Sequence, residues 1–589
     1  MKSFLKYVLA SVLGVMLAGL ILFFIILGVM SAIISSQDKP FQVKPKSVLM
    51  LKLDQPIIDR KPNLPLPSFG LGNIGMINQI GLNDLLNNIN KASKDTNICG
   101  IYLQLSTLQT GIATLQEIRN ALLDFKKTGK FIIAYSDFYS QGAYYLASAS
   151  DKVYMNPLGN VNFDGISVEI LFYKKALEKL DIEPQIIRHG KFKSAVEPLI
   201  NEKMSPENRE QISVYIGSIW KQIVDEVSLQ RGIPADKINA IADKMSLSSA
   251  AEAYKTGMID SIMYKDQLLE ILTGLSGVKN SRKLNFVSHN QYLKAPKPRH
   301  QKGLSKNKIA VIYASGNIME GDGRDGNIYS ESMSRTIREA RKDSSIKAIV
   351  FRVNSGGGSA LASEVIWREI DLARQVKPVI ASMGDVAASG GYYVLAAADT
   401  VLASPNTVTG SIGVFGVLLN MNDFFNGKLG ISADVVNTNR HSDFGSLFRS
   451  MDTEERQAMQ QMVDNIYTTF VSHVADGRNM DDVAVDKIGE GRVWSGINAR
   501  ELGLVDEMGG LTRAVEIAAE KAGLEQYRIV ELPRLKDPLE QIISELTGET
   551  SLKRIQNELG PGYKYYHHLK SVLNAKGVMA RLPFEFEIY

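Results

Sequence analysis

The chain has 589 residues, 45% hydrophobic and 22% charged, which places it among packed globular proteins and excludes a disordered or fibrous chain. Its 67 basic and 63 acidic side chains leave a net charge of +4, too even a balance to argue for or against a nucleic-acid partner. A lone cysteine, Cys99, excludes an internal disulfide; it sits in an apolar run and is expected to be a small buried residue.

No charged residue occurs from Tyr7 to Gln37, a span of 31 positions. About 20 apolar residues cross a bilayer core of ~30 Å, so residues 1–37 are expected to be a cytoplasmic tip and one transmembrane anchor. A cleavable signal peptide is the competing reading, but its apolar stretch is shorter, about 7–15 residues. Lys2 and Lys6 precede the span and Asp38 follows it, which keeps the N-terminus cytoplasmic and puts the remaining chain outside.

A first domain is expected over residues 45–293. It contains an apolar strand, Asn97-Ile-Cys-Gly-Ile-Tyr-Leu-Gln-Leu105, and then Leu108-Gln-Thr110. Further on come Tyr135-Ser-Asp-Phe-Tyr-Ser-Gln-Gly-Ala-Tyr-Tyr-Leu-Ala-Ser-Ala-Ser-Asp151 and His189-Gly-Lys-Phe-Lys-Ser-Ala-Val-Glu-Pro198. Lys193 has two readings: a surface salt bridge with Glu197 four residues on, or a desolvated amine whose lowered pKa suits a general base. Spacing does not choose between them. Residues 294–307 are basic and proline-containing, with no acid, and read as an exposed linker; contact with anionic headgroups is the alternative.

A second domain is expected over residues 308–535. Strands at 308–314, 348–353 and 378–382 alternate with helices over 332–342 and 360–374, a βαβ pattern implying a parallel sheet. Ligand sites in such folds gather where strand ends meet helix starts. Gly356-Gly357-Gly358 lies at one such junction. It lacks the Lys of a phosphate-binding loop, whereas an oxyanion hole needs only free N–H donors. Ser389 lies at another, opening an apolar helix expected to run through Ala398. It is either a helix N-cap or an activated nucleophile.

The two domains repeat. Tyr135–Asp151 matches Met383–Asp399, and Asn97–Leu105 matches Ser345–Val353, at one offset (345 − 97 = 248). A period this long is a domain duplication. Where the copies disagree, Gln141 faces Ser389, Leu108-Gln-Thr110 faces the three glycines, and, with the offset slipped by one (442 − 193 = 249), Lys193 faces Ser442. Each half lacks what the other has, so the site is expected to straddle their interface.

Four motifs in order, Gly190–Pro198, Asp385–Tyr393, Thr409-Gly-Ser-Ile-Gly413 and Gly491–Gly496 leading to Gly503-Leu-Val-Asp506, resemble the long, duplicated form of the signal peptide peptidase A (protease IV) family. The resemblance implies an α/β architecture: two tandem Clp-protease/crotonase-like domains after one N-terminal transmembrane helix. It implies a Ser/Lys-dyad serine protease of the bacterial inner membrane, its catalytic part outside the cytoplasm, without metal or cofactor. Expected partners are cleaved signal peptides and other extended hydrophobic peptides, membrane lipid through the anchor, and further copies in a homotetramer, with no nucleic acid. Carried over, the nucleophile is Ser389, the general base Lys193, and the hydroxyl orienting the lysine Ser411. The oxyanion donors are the N–H groups of Gly357 and Gly390, with Gly358 a further candidate. The family's Asn-Ser-Pro-Gly-Gly reads Asn354-Ser-Gly-Gly-Gly358 here, which leaves open which glycine faces the hole. Residues 536–589 carry no motif and are expected to form a helical extension used in subunit packing.

Two other readings fit less well. A crotonase-like acyl-CoA enzyme would sit in the cytoplasm and leaves Lys193 unexplained. An inactive tethered scaffold leaves Ser389, Lys193 and the glycine loop unexplained together.

Overall fold

The computed structural model describes residues 2–37, 40–62, 79–296, 305–323, 326–535 and 578–582. Two sheets form its frame, one from each half, the first parallel and the second parallel except for its edge strand Val493–Ser495. In the first, the strands run Ser261–Ile262, Lys152–Val161, Phe131–Tyr139, Ile98–Gln104, Ser47–Lys52, Asn285–Ser288. In the second the main path runs Val493–Ser495, Val408–Gly410, Val379–Ala388, Ile346–Ser355, Lys308–Ser315, Arg528–Leu532. The central strands are apolar almost throughout because helices cover both faces, as parallel sheets require.

The duplication is visible element by element. Helices begin at Leu82 and Ser330, and at Ile112 and Ala360; strands begin at Ile98 and Ile346, Phe131 and Val379, Lys152 and Thr400. Every pair is 248 residues apart (330 − 82 = 248). Many matched polar residues do structural work in both copies. Asp151 accepts from Ile132 N (2.7 Å) as Asp399 does from Val379 N (2.8 Å), each tying a strand to its neighbour. Tyr144 donates its hydroxyl to Met258 O as Tyr392 does to Leu504 O, satisfying a buried phenol that burial would otherwise penalise.

A third sheet joins the halves. Its order is Ile328–Tyr329, Ile318–Met319, Gly357–Ser359, Val578–Arg581, Val414–Asn420, Glu183–His189. The last two strands pair antiparallel from Val414↔His189 to Asn420↔Glu183, one from each half. The second half's counterpart of Glu183–His189, at 432–438, is exposed and has no strand. Around this seam the halves share buried polar contacts. Arg352, fully buried on a second-half strand, gives Nε to Asp59 (2.8 Å) and Nη2 to Glu117 (2.6 Å). Asp385 accepts from Thr114 N (2.8 Å) and Thr114 Oγ1 (2.6 Å).

Several expectations need adjusting. The helix after Ser389 is short, Gly390–Tyr393, and does not continue to Ala398, because the following residues turn to feed the strand Thr400–Ala403. The helix expected at 332 starts at Ser330, and Cys99 is half-buried, its thiol donating to Ser47 O. Of the extension 536–589 only residues 578–582 are described, and 578–581 form a strand rather than a helix. Linker residues 297–304 lie outside the described residues. Residues Lys2–Gln37 form a 36-residue helix. Its side chains are described only in part, and among the described residues no helix is long and apolar enough to cross a membrane.

Candidate active site

Lys193 reaches the site from the seam. The strand Glu183–His189 ends at Gly190, whose φ of +95° turns the chain; a Cβ there would lie 2.4 Å from the Glu490 carbonyl. Phe192 N then donates to Glu490 O (3.0 Å), tying the turn to the second half. Gln211, on the helix Pro206–Arg231, gives its amide to Phe192 O (3.1 Å) and Ser194 Oγ (2.9 Å) and accepts from Val493 N (3.1 Å). Lys193 is thus gripped on either side along the chain.

The lysine runs through a slot cut by glycines. A Cβ on Gly491 (φ +83°) would fall 2.6 Å from Lys193 Cβ, and one on Gly413 would fall 3.2 Å from Lys193 Cδ. At the end of the slot, Nζ lies 2.8 Å from Ser389 Oγ, 3.0 Å from Ser411 Oγ and 3.1 Å from Ser411 O. The side chain is 0% exposed. Burial holds the amine well below its ordinary pKa, because desolvation penalises the ammonium. Glu197 does not pair with it. That carboxylate accepts from Ser205 N and Oγ and from Asn208 Nδ2, which disposes of the surface salt-bridge reading.

Ser389 follows the strand Val379–Ala388 with φ 56° and ψ −119°, a conformation L-residues avoid. Strain of this kind costs roughly 1–3 kcal/mol and collects at functional sites. Its N–H donates to Gly410 O (2.8 Å), and its hydroxyl makes no cap to the helix that follows. The N-cap reading therefore fails. Ser411, also at positive φ (51°), is fixed by its N–H to Arg492 O (2.6 Å) and turns both its oxygens toward the lysine. Among the described residues no histidine bonds to Ser389 or Lys193.

The glycine loop packs directly against the serine. Gly357 has φ +98°, and a Cβ on it would lie 2.7 Å from Gly390 N, so these two backbones abut with no room for a side chain. Gly357 N–H already donates to Ser355 Oγ (3.1 Å). In the first half Leu108-Gln-Thr110 stands in place of the three glycines. Gln141, in the serine's place, is 4% exposed and accepts from Gly165 N (3.0 Å), which makes it a packing residue.

Sequence reasoning missed the residues that shape the lysine's slot, Gly190, Gly413 and Gly491, and the clamp Gln211. The glycines stood inside the quoted motifs. Nothing local distinguishes a glycine that admits a distant side chain from one that ends a turn. Gln211 carried no signal at all.

The profile of Peptidase family S49 matches residues 124–279 and 371–525, one segment in each half. The chain belongs to peptidase family S49. Among similar proteins, Protease 4 of Salmonella typhi is 36% identical over 85% of this chain and 83% of its own length. Protease 4 of Haemophilus influenzae is 36% identical over 76% and 74%. The chloroplastic serine protease SPPA of Arabidopsis thaliana is 34% identical over 82% and 72%. This S49 chain is accordingly a serine protease of the long, duplicated type. A solved ClpP1 mutant from Listeria monocytogenes aligns with 35% of the chain and 94% of its own at 14% identity and a TM-score of 0.24, too distant to carry an argument.

Proposed function

We propose that this protease is a membrane-anchored Ser/Lys-dyad endopeptidase that degrades extended hydrophobic peptides, cleaved signal peptides among them, outside the cytoplasm. One observation carries the chemistry: a fully buried lysine amine 2.8 Å from the hydroxyl of a strained serine. A neutral amine at that distance can take the hydroxyl proton as Ser389 attacks a peptide carbonyl. Gly390 N–H, beside the serine, and the glycine loop hold the oxyanion. Gly358 N–H is the better loop donor, because Gly357 N–H is engaged by Ser355. Lys193 then protonates the leaving amine, and water frees the acyl group by the same steps. Ser411 keeps the amine on axis. Each half is a Clp/crotonase-like domain in this reading, the first (45–293) supplying the base and the second (308–535) the nucleophile.

The anchor rests on the helix Lys2–Gln37, uncharged from Tyr7 onward. Read from the sequence alone, because many of this helix's side chains lie outside the described ones, its uncharged part is about 46 Å long at 1.5 Å per residue, more than the ~30 Å of a hydrocarbon core. Its described side chains face away from the protein, as at Val15 (74% exposed) and Met16 (69%). The segment 429–450 exposes Leu429, Ile431 and Val436, surface that suits assembly with further copies in a homotetramer. The test is turnover of a fluorogenic hydrophobic peptide ester by the detergent-solubilised chain. Ser389→Ala and Lys193→Ala should each lose several orders of magnitude, as paired catalytic groups do. Retention of most activity by Lys193→Ala would end the dyad reading.

A further inference from the structure

One second-half side chain, Tyr467, touches the turn that carries Lys193 from two directions. It lies on the helix Thr453–Arg478 and is 4% exposed. Its ring stacks on His189, the last residue of the strand leading to Lys193, with centroids 3.9 Å apart and planes 20° from parallel. Asp464, one turn earlier on the same helix, holds that imidazole at Nδ1 (2.7 Å). The Tyr467 hydroxyl accepts from Glu490 N (3.1 Å) and donates to Asp486 Oδ1 (2.6 Å). Burial, and then the bond to Asp486, push this phenol well above the ordinary tyrosine range. The hydroxyl therefore keeps its proton for Asp486 and a lone pair for the Glu490 N–H.

Glu490 borders the lysine's slot. It is held at φ 48°, a conformation that persists only where the surroundings fix it. Its carbonyl accepts from Phe192 N, directly before Lys193, and abuts Gly190. Gly491, directly after it, is the glycine that makes way for the lysine's Cβ. Gly489, directly before it, leaves room for the hydroxyl itself: a Cβ there would fall 3.1 Å from Tyr467 Oη. The bond from Glu490 N thus fixes the backbone on which the lysine leans.

The other copy shows what the hydroxyl adds. Helices Pro206–Arg231 and Thr453–Arg478 are both 26 residues long and start at matched positions (453 − 206 = 247). The same offset sets Trp220 against Tyr467 and Asn239 against Asp486. Trp220 Nε1 donates to Asn239 Oδ1 (2.9 Å), so the donor bond occurs in both copies. An indole N–H cannot accept. Only the second copy, which faces Lys193, has a group able to hold a backbone N–H as well.

We propose that Tyr467 is a positioning residue for the reaction: through the Glu490 backbone and His189 it fixes where Lys193 presents its amine to Ser389. This rests on the Ser389/Lys193 dyad proposed above. Without the hydroxyl the backbone around Glu490 loosens, the slot widens, and water reaches the amine. Its pKa then climbs back toward the ordinary lysine value.

The test is peptide-ester turnover by the detergent-solubilised chain, with kcat and KM measured across pH and the Tm taken on the same samples. Tyr467→Phe removes one oxygen and keeps the stacked ring. It should lower kcat about tenfold or more, leave KM unchanged, and move the acid limb of the kcat profile to higher pH. Tyr144→Phe loses a buried hydroxyl bonded to Met258 O in the first half, and should lower Tm while leaving kcat and the limb alone. His189→Ala, at a side chain 35% exposed, should repeat the fall in kcat and the shift of the limb, and it decides the question if Tyr467→Phe does not fold. Wild-type kcat, or a lowered kcat with the acid limb unmoved, overturns the proposal and leaves the dyad standing. So does the same pair of changes in Tyr144→Phe, since any lost hydroxyl would then suffice. Turnover by Lys193→Met at the wild-type rate would instead defeat the dyad reading on which the proposal rests.

Discussion

At the scale of the residue, the central fact is a lysine kept in a place that disfavours its charge. Burial lowers the amine's pKa, and only the neutral form can accept the serine proton. Activity should therefore fall as pH drops through the folded-state pKa of Lys193, and the acid limb of a kcat/KM profile in wild type measures it. Stability follows with a defined sign. Between the lowered folded pKa and the ordinary lysine value, the unfolded chain binds the extra proton, so burying this amine weakens the fold there and stability rises with pH. Lys193→Met should abolish turnover yet raise the Tm at pH 7, with a gain that shrinks toward pH 10; thermal scans across pH check both. Ser411→Ala should lower kcat by about a hundredfold, the scale of losing alignment at a reacting group. It should also shift the acid limb, which a merely structural residue would not do.

Elements explain why the lysine can be there. The strand Glu183–His189 adds to Val414–Asn420, so the turn holding Lys193 is placed by a ladder between halves. Glycines then clear its path. Gly491→Ala would put a methyl 2.6 Å from Lys193 Cβ at φ +83° and should cost about a hundredfold or more in kcat. Gly129→Ala makes the contrast: φ is +80° but nothing lies within 4 Å, so it should cost about 1 kcal/mol of stability and no activity. The same scale shows what the sequence could reveal. The matched segments at an offset of 248 anticipated the paired strands that begin at Ile98 and Ile346 and at Phe131 and Val379; the other three element pairs show the same offset in the structure. The exchange of Gln141 for Ser389 and of Lys193 for Ser442 pointed to a divided site. The third sheet was not legible, because strand addition between halves and by residues 578–581 depends on backbone edges, which leave no periodic trace. The short helix after Ser389 was overread because its apolar run reflects burial on all sides rather than a helical face.

Across the whole molecule, the site exists only while the halves stay docked, and a buried ionic cluster sits at their junction. Removing the Arg352 guanidinium would strand Asp59 and Glu117 without their cation; breaking such a buried pair costs about 3–5 kcal/mol. Arg352→Ala should therefore lower the denaturation midpoint and reduce turnover together, although the residue touches neither Ser389 nor Lys193; urea titration followed by activity checks this. The central claim, that one half activates the nucleophile of the other, is tested most directly by fluorophosphonate labelling with peptide mapping, at a series of pH values, in wild type and Lys193→Met. The account predicts a label on Ser389 alone, at a rate that rises with pH through one ionisation in wild type and is lost by orders of magnitude in Lys193→Met. A label on any other residue, or labelling of Lys193→Met at the wild-type rate, would contradict it.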